Sequence, residues 1–168
     1  ASSDYVLLYS RLAEYLNPRH VDAAMLSAEL LESMERYELA IAAYKAVPPD
    51  HPRHSTAELG RAEALRRAGK AEAAIEVLGQ LARKYPDLPV VHVSAGDLYR
   101  QLERFEDAVA AYDRALTLYE ERETDQWFVH YARGISHERI GNWQEAEADF
   151  RRALELNPDQ PQVLNYLG

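Results

Sequence analysis

The sequence predicts an all-α fold made of repeated helix pairs, and three observations predict it. Ala followed four residues later by a large apolar side chain recurs at Ala40/Tyr44, Ala74/Leu78, Ala108/Tyr112 and Ala146/Phe150, in steps of 34, 34 and 38 residues. Proline follows in register at Pro52, Pro86 and Pro158, with Pro18 one 34-residue step before Pro52. Within each period the apolar residues recur at three- and four-residue spacings, as amphipathic helices require, and no stretch alternates long enough to form a strand.

Each period splits into two helical patterns around a short break. The breaks fall at Gly69-Lys70, Glu103-Arg104 and Gly141-Asn142, while Asp87-Leu88-Pro89 separates the second period from the third. The third period is four residues longer than the others. Its extra residues fall within 118–125, where Glu120 stands in place of the closing proline. In the last period the first helix is expected over 126–140 and the second over 143–156. Asn157-Pro158 ends it, because the residue before proline is biased away from the helical region.

Composition narrows the function. The 168 residues are 47% hydrophobic and 28% charged, which suits a packed core and not a disordered chain. Nineteen basic against 28 acidic side chains give a net charge of -9, a poor match to a phosphate backbone or an anionic membrane surface. With no Cys, disulfides, thiolate zinc sites and cysteine nucleophiles are excluded. No apolar run approaches the ~18 residues that span a bilayer.

The pattern resembles the tetratricopeptide repeat, whose 34-residue signature pairs W-x2-L-G-x2-Y on a first helix with A-x3-F and a closing P on a second. The resemblance implies a right-handed superhelical solenoid of antiparallel helix pairs and divides the chain into repeats at 21–54, 55–88, 89–126 (with the four-residue insertion) and 127–160. Position 8 is Ala28, Ala62, Gly96 and Gly134, small enough for close helix approach. Position 20 is always Ala, and position 24 is the large side chain that fills the seam. Position 4 departs from the signature, with Ala24, Glu58, His92 and His130 in place of Trp. Residues 4–18 then read as the second helix of a truncated repeat, and residues 161–168 as the start of a further one, with Leu164, Leu167 and Gly168 at positions 4, 7 and 8. The chain reads as cut from a longer array of bacterial type. Val163, Leu164 and Leu167 are expected to stack on the preceding repeat or on a neighbouring molecule.

In that family the first helices line a concave groove to which positions 2, 5, 9, 12 and 13 contribute. Carried over, the groove is expected to hold Met25, Leu59, Val93 and Tyr131 from position 5, and Glu29, Glu63, Asp97 and Ile135 from position 9. Arg66, Arg100, Arg139 and Phe128 complete it from positions 12, 13 and 2. An apolar stripe beside a ladder of carboxylates suits a peptide with apolar anchors and some basic residues, and the arginines suit its carboxylates. Members that grip acidic chaperone tails use Lys, Asn and Arg at positions held here by Met25, Glu29, Gly60, Val90 and Ser94, or one repeat on by Leu59, Glu63, Ser94, Phe128 and Ala132. Neither frame forms that clamp.

No catalytic or cofactor motif occurs: there is no G-x-S-x-G, P-loop or H-E-x-x-H. His51 and His54 lie in a loop with two prolines, His92 and His130 share one packing position, and Glu145, Glu147 and Asp149 read as a solvated face. The expectation is a non-enzymatic scaffold or adaptor that binds a protein or peptide partner in the groove, without cofactor, metal, nucleic acid or membrane insertion. The alternative is a structural or self-associating solenoid that holds no peptide and associates through its exposed terminal helices. The ending LNYLG resembles segments of bacterial repeat proteins, which leans toward the periplasm or envelope over the cytoplasm by resemblance alone.

Overall fold

The computed structural model describes residues 3–17, 20–119, 126–158 and 163. Pro18, the insertion residues 120–125, Leu164, Leu167 and Gly168 lie outside them. Among the described residues there are helices and turns only. They run α1 Ser3–Leu16, α2 Val21–Ser33, α3 Tyr37–Lys45, α4 His54–Arg67, α5 Ala71–Lys84, α6 Pro89–Gln101, α7 Phe105–Leu118, α8 Gln126–Arg139 and α9 Trp143–Leu156. The last two fall within a residue of the spans read from periodicity. The chain forms two compact units, Ala1–Lys84 and Tyr85–Gly168.

Every pair turns in the same way. The residue at position 15, Glu35, Gly69, Glu103 or Gly141, has φ of 59°, 75°, 58° or 83°. Two hydrogen bonds close each first helix around it. In the pair α6/α7, for example, the Glu103 amide donates to the Arg100 carbonyl at 3.1 Å and the Arg104 amide to the Tyr99 carbonyl at 2.9 Å. This double closure satisfies carbonyls that the helix end would otherwise leave unpaired, and it needs one left-handed residue. Glycine adopts that conformation without penalty, and glutamate does not.

The pairs close over alanine. Ala40, Ala74, Ala108 and Ala146 are 0 to 3% exposed, and Ala28 and Ala62 on the facing helices are equally hidden. In the C-terminal unit the seam is a ring laid on a glycine. A Cβ added to Gly96 would sit 2.5 Å from the Tyr112 ring, and one added to Gly134 would sit 2.8 Å from the Phe150 ring. In the N-terminal unit the Tyr44 ring lies as close to Gly60, at position 6 of the following repeat. Helix α1 meets α2 without a ring, through a 2.9 Å hydrogen bond between the buried hydroxyls of Ser10 and Ser27. Val163 is fully buried with Ala146, Phe150 and Ala153, so this residue stacks on the preceding pair.

This packing makes two variants informative. Glu35→Gly and Glu103→Gly should each stabilise the chain by about 1 kcal/mol in urea unfolding, because the left-handed strain is removed. Gly96→Ala should destabilise it by about 2 kcal/mol through overpacking against Tyr112. By the same assay Gly79→Ala, whose nearest neighbour would be the far end of Arg83 at 3.7 Å, should be neutral or stabilising.

Candidate functional site

In the C-terminal unit the first helices α6 and α8 lie side by side. Pro89 opens α6, where its missing N–H costs nothing. Position 2 then presents Val90, 42% exposed, on α6 and Phe128, 38% exposed, on α8. Position 5 contributes the half-buried Val93 and Tyr131, and Ile135 lies one turn beyond Tyr131. An aromatic chain holds Phe128 in place. Its ring meets Trp127 edge-on at 5.9 Å and 81°, Trp127 lies 6.3 Å from Tyr131, and Tyr131 lies 6.1 Å from Phe150 in the seam. Tyr131 and Ile135 pack by their inner sides on the cluster of Ala146, Phe150, Ala153 and Val163.

The charged groups of this face are engaged within the chain. The Tyr112 hydroxyl reaches through the seam and donates to Asp97 at 2.7 Å, while Arg100 Nε donates to the same hydroxyl at 3.3 Å. Burial, together with the Asp97 carboxylate, pushes the Tyr112 phenol well above its ordinary range. Arg139 lies over the Phe105 ring at 4.8 Å.

The N-terminal unit presents a different face. Its first helices α2 and α4 are also neighbours, but Met25 is 4% exposed and belongs to the core around Tyr44. Met25 therefore offers a ligand almost no surface, contrary to its expected place on the groove floor. Met25 is packed in one cluster with Leu31, Tyr44 and Val47, against which Leu7 of α1 also lies. Glu29 is exposed and Leu59 half-buried. Glu63 takes both Arg66 Nε at 2.7 Å and a second Arg66 nitrogen at 2.5 Å. Arg67 stands 3.5 Å from Glu32 and over the Tyr37 ring at 4.8 Å, and Tyr44 donates to Glu32 at 3.1 Å. Two rungs of the carboxylate ladder, Glu63 and Asp97, are thus neutralised by their own chain.

Models of the tetratricopeptide repeat match residues 7–53, 35–89, 59–125 and 127–160. The chain belongs to the tetratricopeptide repeat family. Among solved structures, this tetratricopeptide chain is similar to MamA of Desulfovibrio magneticus RS-1, with 19% identity, a TM-score of 0.76, and coverage of 96% of this chain and 89% of that one. It is similar to a thermophilic tetratricopeptide protein of Thermus thermophilus, with 23% identity, a TM-score of 0.70 and coverage of 98% and 88%. YrrB, described as having an unusual peptide-binding site, shares 13% identity at a TM-score of 0.74 over 98% of this chain and 82% of its own. These likenesses establish the fold of helix pairs. No curated protein matches the sequence.

Two residues escaped the sequence reading. Val90 shares position 2 with Phe128, and that shared register was the signal that could have found it. Asp149 is no solvated residue: its side chain is 5% exposed and accepts from Arg133 Nε at 2.8 Å, from a second Arg133 nitrogen at 2.6 Å, and lies 2.9 Å from His130 Nδ1. It sits at position 23, which the pair turns inward beside Phe150, and Arg133 reaches on to Asp113 at 2.6 Å. Among the described residues no three His, Cys, Asp or Glu side chains group as metal ligands; His20 caps α2 by accepting from the Ala23 amide, and His51 accepts from the Arg53 amide. No helix among them is long and apolar enough to cross a membrane.

Burial opposes ionisation of Asp149, but the hydrogen bonds from Arg133 and His130 outweigh it and hold the carboxyl below the usual carboxylate range. A depressed folded pKa stabilises at pH above the unfolded value of about 3.9, and the contribution fades as pH falls through the folded value. Asp149→Asn should therefore destabilise the chain by about 3 kcal/mol at pH 7, since it leaves Arg133 half-buried with one carboxylate fewer. Urea unfolding at a series of pH values should show the gap between variant and parent closing below about pH 4.

Proposed function

We propose that the chain is a non-catalytic interaction module whose binding surface is the first-helix face of the C-terminal unit, and that its ligand is a peptide segment with apolar anchors. The observation that carries this reading is the exposure of Val90 and Phe128 at one register position on adjacent first helices, flanked by Val93, Tyr131 and Ile135. Surface apolar residues are ordinary when scattered; here they line one face beside a rigid aromatic chain, as in the anchor pockets of interfaces. Family membership supports protein interaction in general, and the peptide-binding site of the similarly folded YrrB supports a peptide as the occupant.

The ligand chemistry differs from what the carboxylate ladder suggested. Glu63 and Asp97 are engaged by Arg66, Tyr112 and Arg100, so basic residues of a ligand gain little from them. Arg100 is engaged in the same way, whereas Arg139, exposed and lying over the Phe105 ring, suits an acidic group beside the anchors. The N-terminal face of Glu29, Leu59, Glu63 and Arg66 is polar and laced with ion pairs, and it serves as scaffold in this reading.

The test is a peptide selected from a random library against the chain, with binding followed by calorimetry and amide shifts. Phe128→Ala or Tyr131→Ala should weaken it by about 2 kcal/mol, roughly 30-fold, and Glu29→Gln should leave it unchanged. Shifts confined to the N-terminal unit, or failure of any library to yield a binder, would favour the structural solenoid with an empty groove.

A further inference from the structure

Helix α1 carries an apolar stripe that the helix pairs themselves do not explain. Tyr5, Leu8, Leu12 and Tyr15 are 63, 62, 48 and 83% exposed. In repeat register they occupy positions 19, 22, 26 and 29 of a second helix, with Val6, Ser10 and Ala13 at the inward positions 20, 24 and 27. In the four pairs that have both helices, those same outer positions are occupied by Leu39, Ala42, Ala46 and Pro49 in α3 and its turn, and by mainly small or charged residues in α5, α7 and α9, such as Glu76, Arg83, Asp107, Arg114, Glu145 and Glu155. Apart from the half-buried Ala73 and Arg152 they are exposed there, with their own first helix present. A first helix therefore does not cover this side. Position 23 differs: Ala43, Val77 and Asp149 are buried there, so the exposed Tyr9 of α1 lies on the side a first helix would cover and is no part of the stripe.

The four residues are self-complementary. Their spacings of three, four and three are those of a coiled-coil seam, and their order Tyr-Leu-Leu-Tyr reads the same in both directions, with the exposed Leu16 extending the face at the helix end. A two-fold axis through the middle of α1 would set Tyr5 against the partner's Tyr15 and Leu8 against the partner's Leu12, which is the condition for an isologous contact. The four side chains would bury roughly 500 Å² per protomer, about 1,000 Å² in all, at the lower limit of specific interfaces. A membrane surface suits the helix less well, since α1 has two acidic residues and one basic residue where interfacial helices are rich in Lys and Arg.

We infer that this stripe is the interface of an antiparallel homodimer joined through α1, separate from the first-helix face assigned to a peptide. Sedimentation equilibrium of the 168-residue chain should show a monomer–dimer equilibrium with a dissociation constant in the range of about 1 to 100 μM. Leu8→Glu with Leu12→Glu should raise that constant by about 100-fold or more, with the helical circular dichroism unchanged because both side chains already face solvent. The chain has no Cys, so single cysteines report geometry cleanly. A mixture of Tyr5→Cys and Tyr15→Cys chains should form a mixed disulfide dimer, and neither variant alone should do so. A strict monomer at about 500 μM, association that survives the double Glu variant, Tyr5→Cys chains that link to themselves as fast as in the mixture, or a monomer that sediments with phosphatidylserine vesicles would each overturn the inference.

Discussion

The contact on which the C-terminal unit depends is an aromatic ring resting on a glycine. Tyr112 on Gly96 and Phe150 on Gly134 occupy the space a Cβ would need, so the helices of each pair meet backbone to ring. That close approach hides Ala108 and Ala146, which have too little side chain to hold a wider gap closed. The seam also sends a polar group outward. Tyr112 crosses it and ends in a hydroxyl that takes Asp97 and Arg100; Tyr44, lying on Gly60, ends on Glu32. Phe150 has no hydroxyl, and there the polar closure comes instead from its neighbour Asp149, which draws in His130 and Arg133. One packing solution thus determines both the core and which surface charges are already satisfied.

This changes what the charge of the chain means for binding. A net charge of -9 argues against phosphate backbones, but it does not describe the first-helix faces, because the carboxylates at position 9 are largely held by residues three positions on or by the seam tyrosines. What remains for a partner is the surface that internal pairing leaves over. At the groove positions of the N-terminal unit's first helices that remainder is Glu29, Glu63 and Arg66 around a half-buried Leu59; in the C-terminal unit it is Val90 and Phe128 with Tyr131 beneath. Two units of one repeat pattern consequently leave different side chains exposed, since a common scaffold tolerates variation at its surface positions.

The turn between helices shows how much of this can be read without coordinates. Gly69 and Gly141 announce a left-handed residue, and the chain does break there; Glu103 marks a break by register alone, and nothing in its chemistry reveals φ of 58°. The seam was legible as small residues at positions 8 and 20 facing a large one at position 24. Its details were not: the Tyr44 ring also lies against Gly60 at position 6 of the following repeat, a contact between repeats that no spacing within one repeat announces. Nor was the burial of Met25 in the cluster around Tyr44, which removes it from the proposed ligand face.

By itself, then, the sequence determined the all-α class, the spans of α8 and α9 and the family, since apolar spacing, small residues and proline act through local geometry within one repeat of 34 residues. Tertiary structure alone decided which side chains are free to act. Asp149 and Glu147 are two residues apart on one helix, yet one is a buried acceptor of Arg133 and the other faces solvent. Tyr44 and Tyr5 are both helical tyrosines, yet one is 4% and the other 63% exposed. Burial and pairing belong to the environment that two or three helices create together, and no spacing along a single helix encodes them.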